Sequence, residues 1–305
     1  MSTPGHGENG LRRGPLTPNA GCGFTLFIVI AHGLKGSSSP DRVLVIHAHP
    51  DDEVFATAAA TIALAKQGCQ VFLRVGTGGE AGLLAACHGD LARARAARAA
   101  QLTRSCGLLG IADWDYLAGA GRWIDTGSEG MGTLADEDPA VLAAAVRACI
   151  DSLEPMMILT VDREGLTGHP DHIAIHEAVR SALALPGWQP REAWGALLLH
   201  RHIAAAHALA KAVVPHRPVG SGRVQGRADD AVARVMSCSP EDAHCRRAAL
   251  DEYILRLGTL PHDELAQRLD RFGDSLLLRL AMDASDWHTD RFERIHPNYE
   301  NQPSH

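Results

Sequence analysis

The chain has no clustered run of lysine or arginine, no Cys-x-x-Cys pair and no apolar stretch long enough to cross a bilayer. The first absence, with a formal charge of −7, argues against a broad phosphate-binding surface, because nucleic-acid binders carry a clustered basic face. No nucleic-acid partner is expected. The second leaves seven scattered cysteines (Cys22, Cys69, Cys87, Cys106, Cys149, Cys238, Cys245). An odd, unpaired set indicates neither a disulfide framework nor a zinc ribbon. Several lie in apolar patterns, where a small thiol is an ordinary core residue, and a reducing cytoplasm is the expected setting. The most membrane-like stretch, residues 24–31 (FTLFIVIA), is far shorter than the roughly 20 residues a span requires. Arg12 and Arg13 precede it, but the run is short and no clear small-x-small cleavage site follows, so a secretory signal is the lesser reading.

What is present is an ordinary globular composition, 46% hydrophobic and 21% charged over 305 residues, enough for one large α/β domain or two small ones. Residues 1–40, rich in Gly, Pro and Ser, read as an extension, with 24–31 as an edge strand or a surface segment. Residues 41–300 read as a single domain and 301–305 as a tail. The β-branched apolar run at 43–46 predicts a strand buried on both faces, 156–161 reads as another buried strand, and 70–75, 114–117 and 194–199 read as further strands. Helical patterns occupy 53–66, 90–109, 139–153 and 173–185, with Gly68 and Gly110 as stops and Asp138-Pro139 as a start. This alternation predicts an α/β fold, with a mostly parallel sheet and helices on both faces. Further on, 229–236, 240–257 and 262–272 read as helices and 275–281 as a last strand.

Two clusters carry chemistry. His47-Ala48-His49-Pro50-Asp51-Asp52-Glu53 directly follows the first strand, and Gly168-His169-Pro170-Asp171-His172 follows the strand at 156–161. Ligands of open α/β sheets bind at the carboxyl ends of strands, and both clusters lie there. His49 and Asp52, three residues apart on a turn entering a helix, can aim at one point, and imidazole with carboxylate is a zinc-type donor set. The competing reading makes Asp51, Asp52 and Asp171 helix caps and the histidines turn residues; two His-Pro-Asp turns on one edge are hard to explain that way. His176, one helical turn past His172, is a rival ligand. The glycine-rich loop at 118–135 offers Arg122, Trp123 and Asp125 for sugar recognition, with Trp123 as a loop anchor the alternative. Glu80 and Arg98 are weaker candidates for substrate contact. A nucleotide-binding module, suggested by Gly78-Gly79-x-x-Gly82, lacks the full dinucleotide spacing.

His49-Pro50-Asp51-Asp52-Glu53, Thr77-Gly78-Gly79-Glu80-Ala81-Gly82 and Gly168-His169-Pro170-Asp171-His172 together resemble the three signatures of the PIG-L/LmbE-like zinc deacetylases. The resemblance runs from about residue 42 to at least 180. It implies a Rossmann-like fold and removal of an N-acetyl group from an N-acetylglucosaminyl (amino-sugar) conjugate, a small-molecule partner. It also implies Zn2+, or another divalent metal such as Fe2+, held by His49, Asp52 and His172. Asp51 matches the general base, and His169 the group that stabilises the oxyanion or protonates the leaving amine. As imidazolium, His169 would do both. Asp171 would orient His169 or His172, or cap its helix. Residues 116–133 resemble the substrate loop of the family's actinobacterial mycothiol-pathway deacetylases. In those a tyrosine precedes Gly-His-Pro-Asp-His, where this chain has Leu166-Thr167. The same fold and metal would also serve an amidase of mycothiol S-conjugates, or a deacetylase of a glycopeptide antibiotic intermediate. A homo-oligomer stays open.

Overall fold

Val43, Leu44, Val45 and Ile46 are all fully buried; Val43 and Val45 enter one core, Leu44 and Ile46 another. A strand covered on both faces belongs at the centre of a sheet, and that is where this one lies. The computed structural model describes residues 40–297 apart from 84–85, 128–129, 214, 216–218 and 267–272. The readings for residues 1–39, including 24–31, and for 301–305 fall outside the described residues. The described residues form one compact unit.

The first half of that unit runs β1 (Arg42–His47), α1 (Asp52–Ala56), α2 (Ala58–Lys66), β2 (Gln70–Val75), α3 (Leu91–Leu109), β3 (Asp113–Tyr116) and α4 (Pro139–Leu153). It continues with β4 (Met157–Val161), α5 (Gly165–Gly168), α6 (Pro170–Ala184), β5 (Glu192–Leu197) and α7 (His200–Val213). β6 (Arg234–Ser237), α8 (Ala243–Tyr253), α9 (His262–Ala266), α10 (Gly273–Ala284) and β7 (Thr289–Arg294) complete it. The sheet order is β3-β2-β1-β4-β5-β7-β6. β1 to β5 are parallel, whereas β7 pairs antiparallel with both β5 and β6. The chain reverses its direction of winding between β1 and β4, and in an open α/β sheet the crevice at such a switch point is the binding site. Both sequence clusters open onto it.

Helices cover both faces. Leu142, Val146 and Ile150 of α4 and Ile175 and Val179 of α6 pack against Leu44, Ile46 and Ile158. On the other face Ala58 and Ile62 of α2, Leu102 and Leu109 of α3, and Leu250 of α8 join Val43, Val45 and Leu73. Among the described residues no helix is long and apolar enough to cross a membrane, and Cys69, Cys87, Cys106, Cys149, Cys238 and Cys245 are free.

The C-terminal third departs from expectation. Residues 275–281 belong to α10, not a strand: Leu276, Leu277, Leu278, Leu280 and Ala281 are all buried, and a short apolar run looks alike in a buried helix and a buried strand. Residues 229–236 are a single 3-10 turn followed by β6 rather than a helix. β7 was not anticipated because TDRFER is mostly charged, although Asp290 and Phe292 alternate inward. Of the helix expected at 262–272, α9 forms the first part and 267–272 fall outside the described residues.

One buried arginine ties this third to the first turn. Arg246 of α8 donates to the carbonyls of Val54 and Phe55 at 2.8 Å each, closing the end of α1. It also pairs with Asp290 of β7 at 2.8 Å, and Asp290 accepts the Ala60 N–H of α2 at 2.9 Å. Removing one member of a buried pair leaves the other charge uncompensated. Arg246→Ala is expected to cost about 3–5 kcal/mol, read as a lower urea midpoint. An unchanged midpoint would contradict this role.

Candidate active site

The turn after β1 is strained. Asp51 has φ 110° and ψ −22°, a left-handed conformation that costs a non-glycine residue about 1–3 kcal/mol and persists only when its surroundings impose it. Its N–H donates to Glu53 Oε2 at 2.9 Å, and its carbonyl accepts from Val54 and Phe55 at 3.0 and 3.3 Å, starting α1. The turn after β4 is shaped likewise. Leu166 has φ 57°, held by its N–H donating to Asp162 Oδ1 at 2.7 Å. Gly168 has φ +70°, and a Cβ there would lie 3.2 Å from the carbonyl oxygen of Arg223, so glycine serves both the conformation and the close approach. His169 then caps α6, its Nδ1 accepting the Asp171 N–H at 3.2 Å.

These turns bring four side chains to one point. His49 Nδ1 lies 3.1 Å from His172 Nε2, and His172 Nε2 lies 3.1 Å from Asp52 Oδ1. Asp52 Oδ2 is 3.7 Å from His49 Nδ1 and accepts the His49 N–H at 2.9 Å. One nitrogen from each of His49, His169 and His172 lies within 4.8 Å of the others. Bonds on the far side of the rings orient them. His172 Nδ1 is 3.0 Å from the Gly165 carbonyl and His49 Nε2 is 3.2 Å from Asp171 Oδ2. Both partners are acceptors, so the ring protons sit there and the lone pairs point inward. With His49 deprotonated, as a metal ligand must be, two imidazole lone pairs and a carboxylate converge in a buried space. They repel unless a cation sits among them, and a nitrogen/oxygen set of this kind fits zinc and similar divalent metals.

The local field also favours positive charge here, supplied by a proton on His49 where no metal is bound. Burial opposes charge on His49, yet Asp125, Asp171 and Asp52 outweigh it and raise its pKa to about 10. Burial likewise opposes ionisation of Asp52, but His172 and His49 hold it well below the usual carboxylate range. Asp51 is pushed up by burial, against the pull of Arg98. His169 is lowered to about 4 by burial and by the neighbouring His49 and His172.

Residues 44–183 match the family model described as PIG-L, GlcNAc-PI de-N-acetylase. The 1D-myo-inositol 2-acetamido-2-deoxy-alpha-D-glucopyranoside deacetylase of Nakamurella multipartita is 32% identical over 74% of this chain and 83% of that protein. This chain belongs to the PIG-L family. The enzyme of the same name from Mycolicibacterium vanbaalenii is 34% identical over 62% of this chain and 68% of its own length. That of Mycolicibacterium gilvum is 36% identical, and there the match spans 58% of the relative's length and 50% of this chain. In fold, this PIG-L chain is similar to N,N'-diacetylchitobiose deacetylase from Pyrococcus horikoshii, with TM-score 0.55 and 15% identity over 84% of each chain. It is also similar to the 4-carboxy-2-hydroxymuconate hydratase GalB of Pseudomonas putida, with TM-score 0.51 and 14% identity over 87% of this chain and all of that one. At such identities the likeness is one of fold alone.

Within this PIG-L site, His49, Asp52, His172 and His169 lie together, Asp51 adjoins them in the chain with its carboxylate on Arg98, and the outer residues have partners of their own. Asp171 orients His49 rather than His169 or His172, and its other oxygen accepts the Ala135 N–H at 2.9 Å. The cap of α6 is His169, not Asp171. Burial first, and then His49 and His172, lower the His169 pKa to about 4, which favours its neutral ring over the imidazolium. His176 stands apart, with Nδ1 2.9 Å from the Val161 carbonyl. Thr167 is buried, with Oγ1 3.4 Å from His172 Nδ1. Arg98 is 6% exposed and sits behind the site, bonded to Asp51 Oδ2 at 2.7 Å and the Pro50 carbonyl at 2.9 Å. Glu80 is wholly buried, paired with Arg95 at 2.7 Å and accepting the Asp125 N–H at 3.0 Å. Asp125 Oδ1 accepts the Gly127 N–H at 2.8 Å.

Trp123, 1% exposed, donates Nε1–H to Glu137 at 2.8 Å, and Arg122 pairs with the same carboxylate while lying over the indole. The glycine-rich loop is therefore anchored by Trp123 in the core that also holds Leu44 and Ile46. Glu53, Ser105 and Tyr253 form a contact set behind Asp51 that sequence reasoning missed. A carboxylate flanked by Asp52, Val54 and Phe55 was the one signal available. Two cavities share Gly168 as a wall. One, of about 600 Å³, is bordered by Leu134, Pro139, Pro170 and Ile173. The other, of about 410 Å³, is bordered by Glu164, His200, Arg223 and Arg227.

Trp123→Ala is expected to destabilise the fold by about 3–5 kcal/mol, as for a large buried aromatic, measured by urea unfolding. A rise in KM at unchanged stability would restore the sugar-contact reading.

Proposed function

We propose that the chain is a zinc-dependent hydrolase that removes the N-acetyl group of an N-acetylglucosaminyl conjugate, releasing acetate and a free amine. The inward-facing acceptors of His49, His172 and Asp52 carry this reading, as the residues that would hold the ion. The names of the curated relatives support the amino-sugar acetamide as substrate. When bound, the metal supplies Lewis-acid polarisation of the acetyl carbonyl and lowers the pKa of a water to about 7.

The protein's own groups would handle the protons. Asp51 lies beside the ligand turn, held by Arg98, and burial raises its affinity for a proton. It takes a proton as water adds to the carbonyl carbon and returns it to the nitrogen as the C–N bond breaks. A base in this role contributes on the order of 10²–10⁴-fold. His169, with Nδ1 engaged as the helix cap, carries its neutral-ring proton on Nε2 and donates it in a hydrogen bond to the oxyanion. Loss of one such donor costs about 10²–10³-fold. Beyond the sugar, the wall of Arg223, His200 and Arg227 suits a hydroxyl-rich aglycone, and the wall of Leu134, Pro139 and Ile173 an apolar one. A mass-spectrometric screen for acetyl loss across GlcNAc-inositol, GlcNAc-lipid and GlcNAc-bearing aglycones decides between them.

Asp51→Asn is expected to lose about 10²–10⁴-fold in kcat with zinc content intact, whereas His172→Ala loses the metal. Elemental analysis and acetate release read the two apart, and a near-normal rate in Asp51→Asn removes Asp51 as the base. Zinc affinity carries a pH signature. Against burial, Asp125, Asp171 and Asp52 raise the His49 pKa to about 10, so an entering cation would displace a proton from it. Affinity should fall about tenfold per pH unit on acidification through neutral pH, measured by competition with a chelator. A pH-independent affinity would refute the displacement.

A further inference from the structure

Glu53 is a fully buried carboxylate in the helix that opens the first turn, and the reaction described above does not touch it. Its Oε1 accepts hydrogen bonds from the hydroxyls of Ser105 on α3 at 2.6 Å and Tyr253 at the end of α8 at 2.7 Å. Its Oε2 accepts the Asp51 N–H at 2.9 Å. The Tyr253 ring also lies against Arg98, whose guanidinium carbon is 4.8 Å from the ring centroid. Arg98 in turn donates to the Asp51 carboxylate at 2.7 Å. Asp51 is thus held twice from one buried cluster, by its backbone through Glu53 and by its side chain through Arg98. Tyr253 touches both holds.

The need for such a grip is local. At φ 110° an aspartate is far from the conformations open to L-residues. Released, it would turn toward the extended or right-handed region and carry its carboxylate off the line of attack. Glu53 can fix that backbone only if its own orientation is fixed, and two hydroxyls converging on Oε1 do this. The three residues come from α1, α3 and α8, with Tyr253 lying 200 positions from Glu53 and beyond the segment that matches the family model.

We propose that Glu53, Ser105 and Tyr253 are positioning residues that hold Asp51 in its left-handed conformation and aim its carboxylate at the water, an inference that rests on Asp51 being the base. Misplacing a reacting group by about 1 Å costs on the order of 10²-fold. Tyr253→Phe keeps the ring against Arg98 and removes one hydroxyl; Ser105→Ala removes the other.

With zinc-loaded full-length enzyme and 1D-myo-inositol 2-acetamido-2-deoxy-alpha-D-glucopyranoside as probe, each variant is expected to lose about 10–100-fold in kcat. KM should stay within about twofold, with zinc content and folded fraction at the assay temperature unchanged. In an Asp51→Asn background, Tyr253→Phe should leave the residual rate unaltered, because no base is left to aim. Wild-type kcat in both Tyr253→Phe and Ser105→Ala overturns the positioning role. So does an equal loss with and without Asp51, which would mean that Tyr253 acts by another route. A normal rate in Asp51→Asn alone instead refutes the reading of the base, and the two failures are told apart.

Discussion

Acceptors aimed at acceptors cannot rest in a buried space without positive charge among them. That constraint organises this molecule. His49, His172 and Asp52 converge within 3.7 Å, and each is locked by a bond behind it: His49 by Asp171, His172 by Gly165, Asp52 by the His49 backbone. The sheet makes the convergence available, because β1 and β4 are neighbours across the switch point and their following turns face one crevice. The strain at Asp51 and Leu166 is the local cost of bending two chain segments inward where the sheet ends.

Much of this was visible in the residues. The strands β1 and β4 hold continuous buried apolar runs of the right length, and buried parallel strands have that composition; β2 and β5 are more mixed but mainly apolar. The two His-Pro-Asp clusters occur at equivalent strand ends, which is a topological statement as well as a chemical one. What the chain did not reveal is how the edge of the sheet is finished. β6 buries little more than Met236 on one side, and β7 hides Asp290 and Phe292 inside a charged hexapeptide. Neither produces a signal in a hydropathy pattern, because their partners are supplied by other elements.

The partners of the outer candidates were hidden for a related reason. Polar side chains in a glycine-rich loop look available for a ligand, and Glu80, Arg98 and Trp123 are types that bind sugars. In the fold each has a partner within the protein: Arg95, Asp51 and Glu137. Local sequence carries no record of those pairings, which join positions 14 to 47 residues apart. Trp123 seats the loop in the core beside Leu44 and Ile46, and the two cavities either side of Gly168 lie outside that anchor.

The dependence of α1 on Arg246 and Asp290 bears on how the molecule is made. Every proposed metal ligand has left the ribosome once residue 172 emerges, yet the helix carrying Asp52 lacks its closing partners until the last strand follows. Translation thus delivers the parts of the site early and its geometry late. A nascent chain that already holds His49, Asp52 and His172 is still short of the scaffold that brings them together.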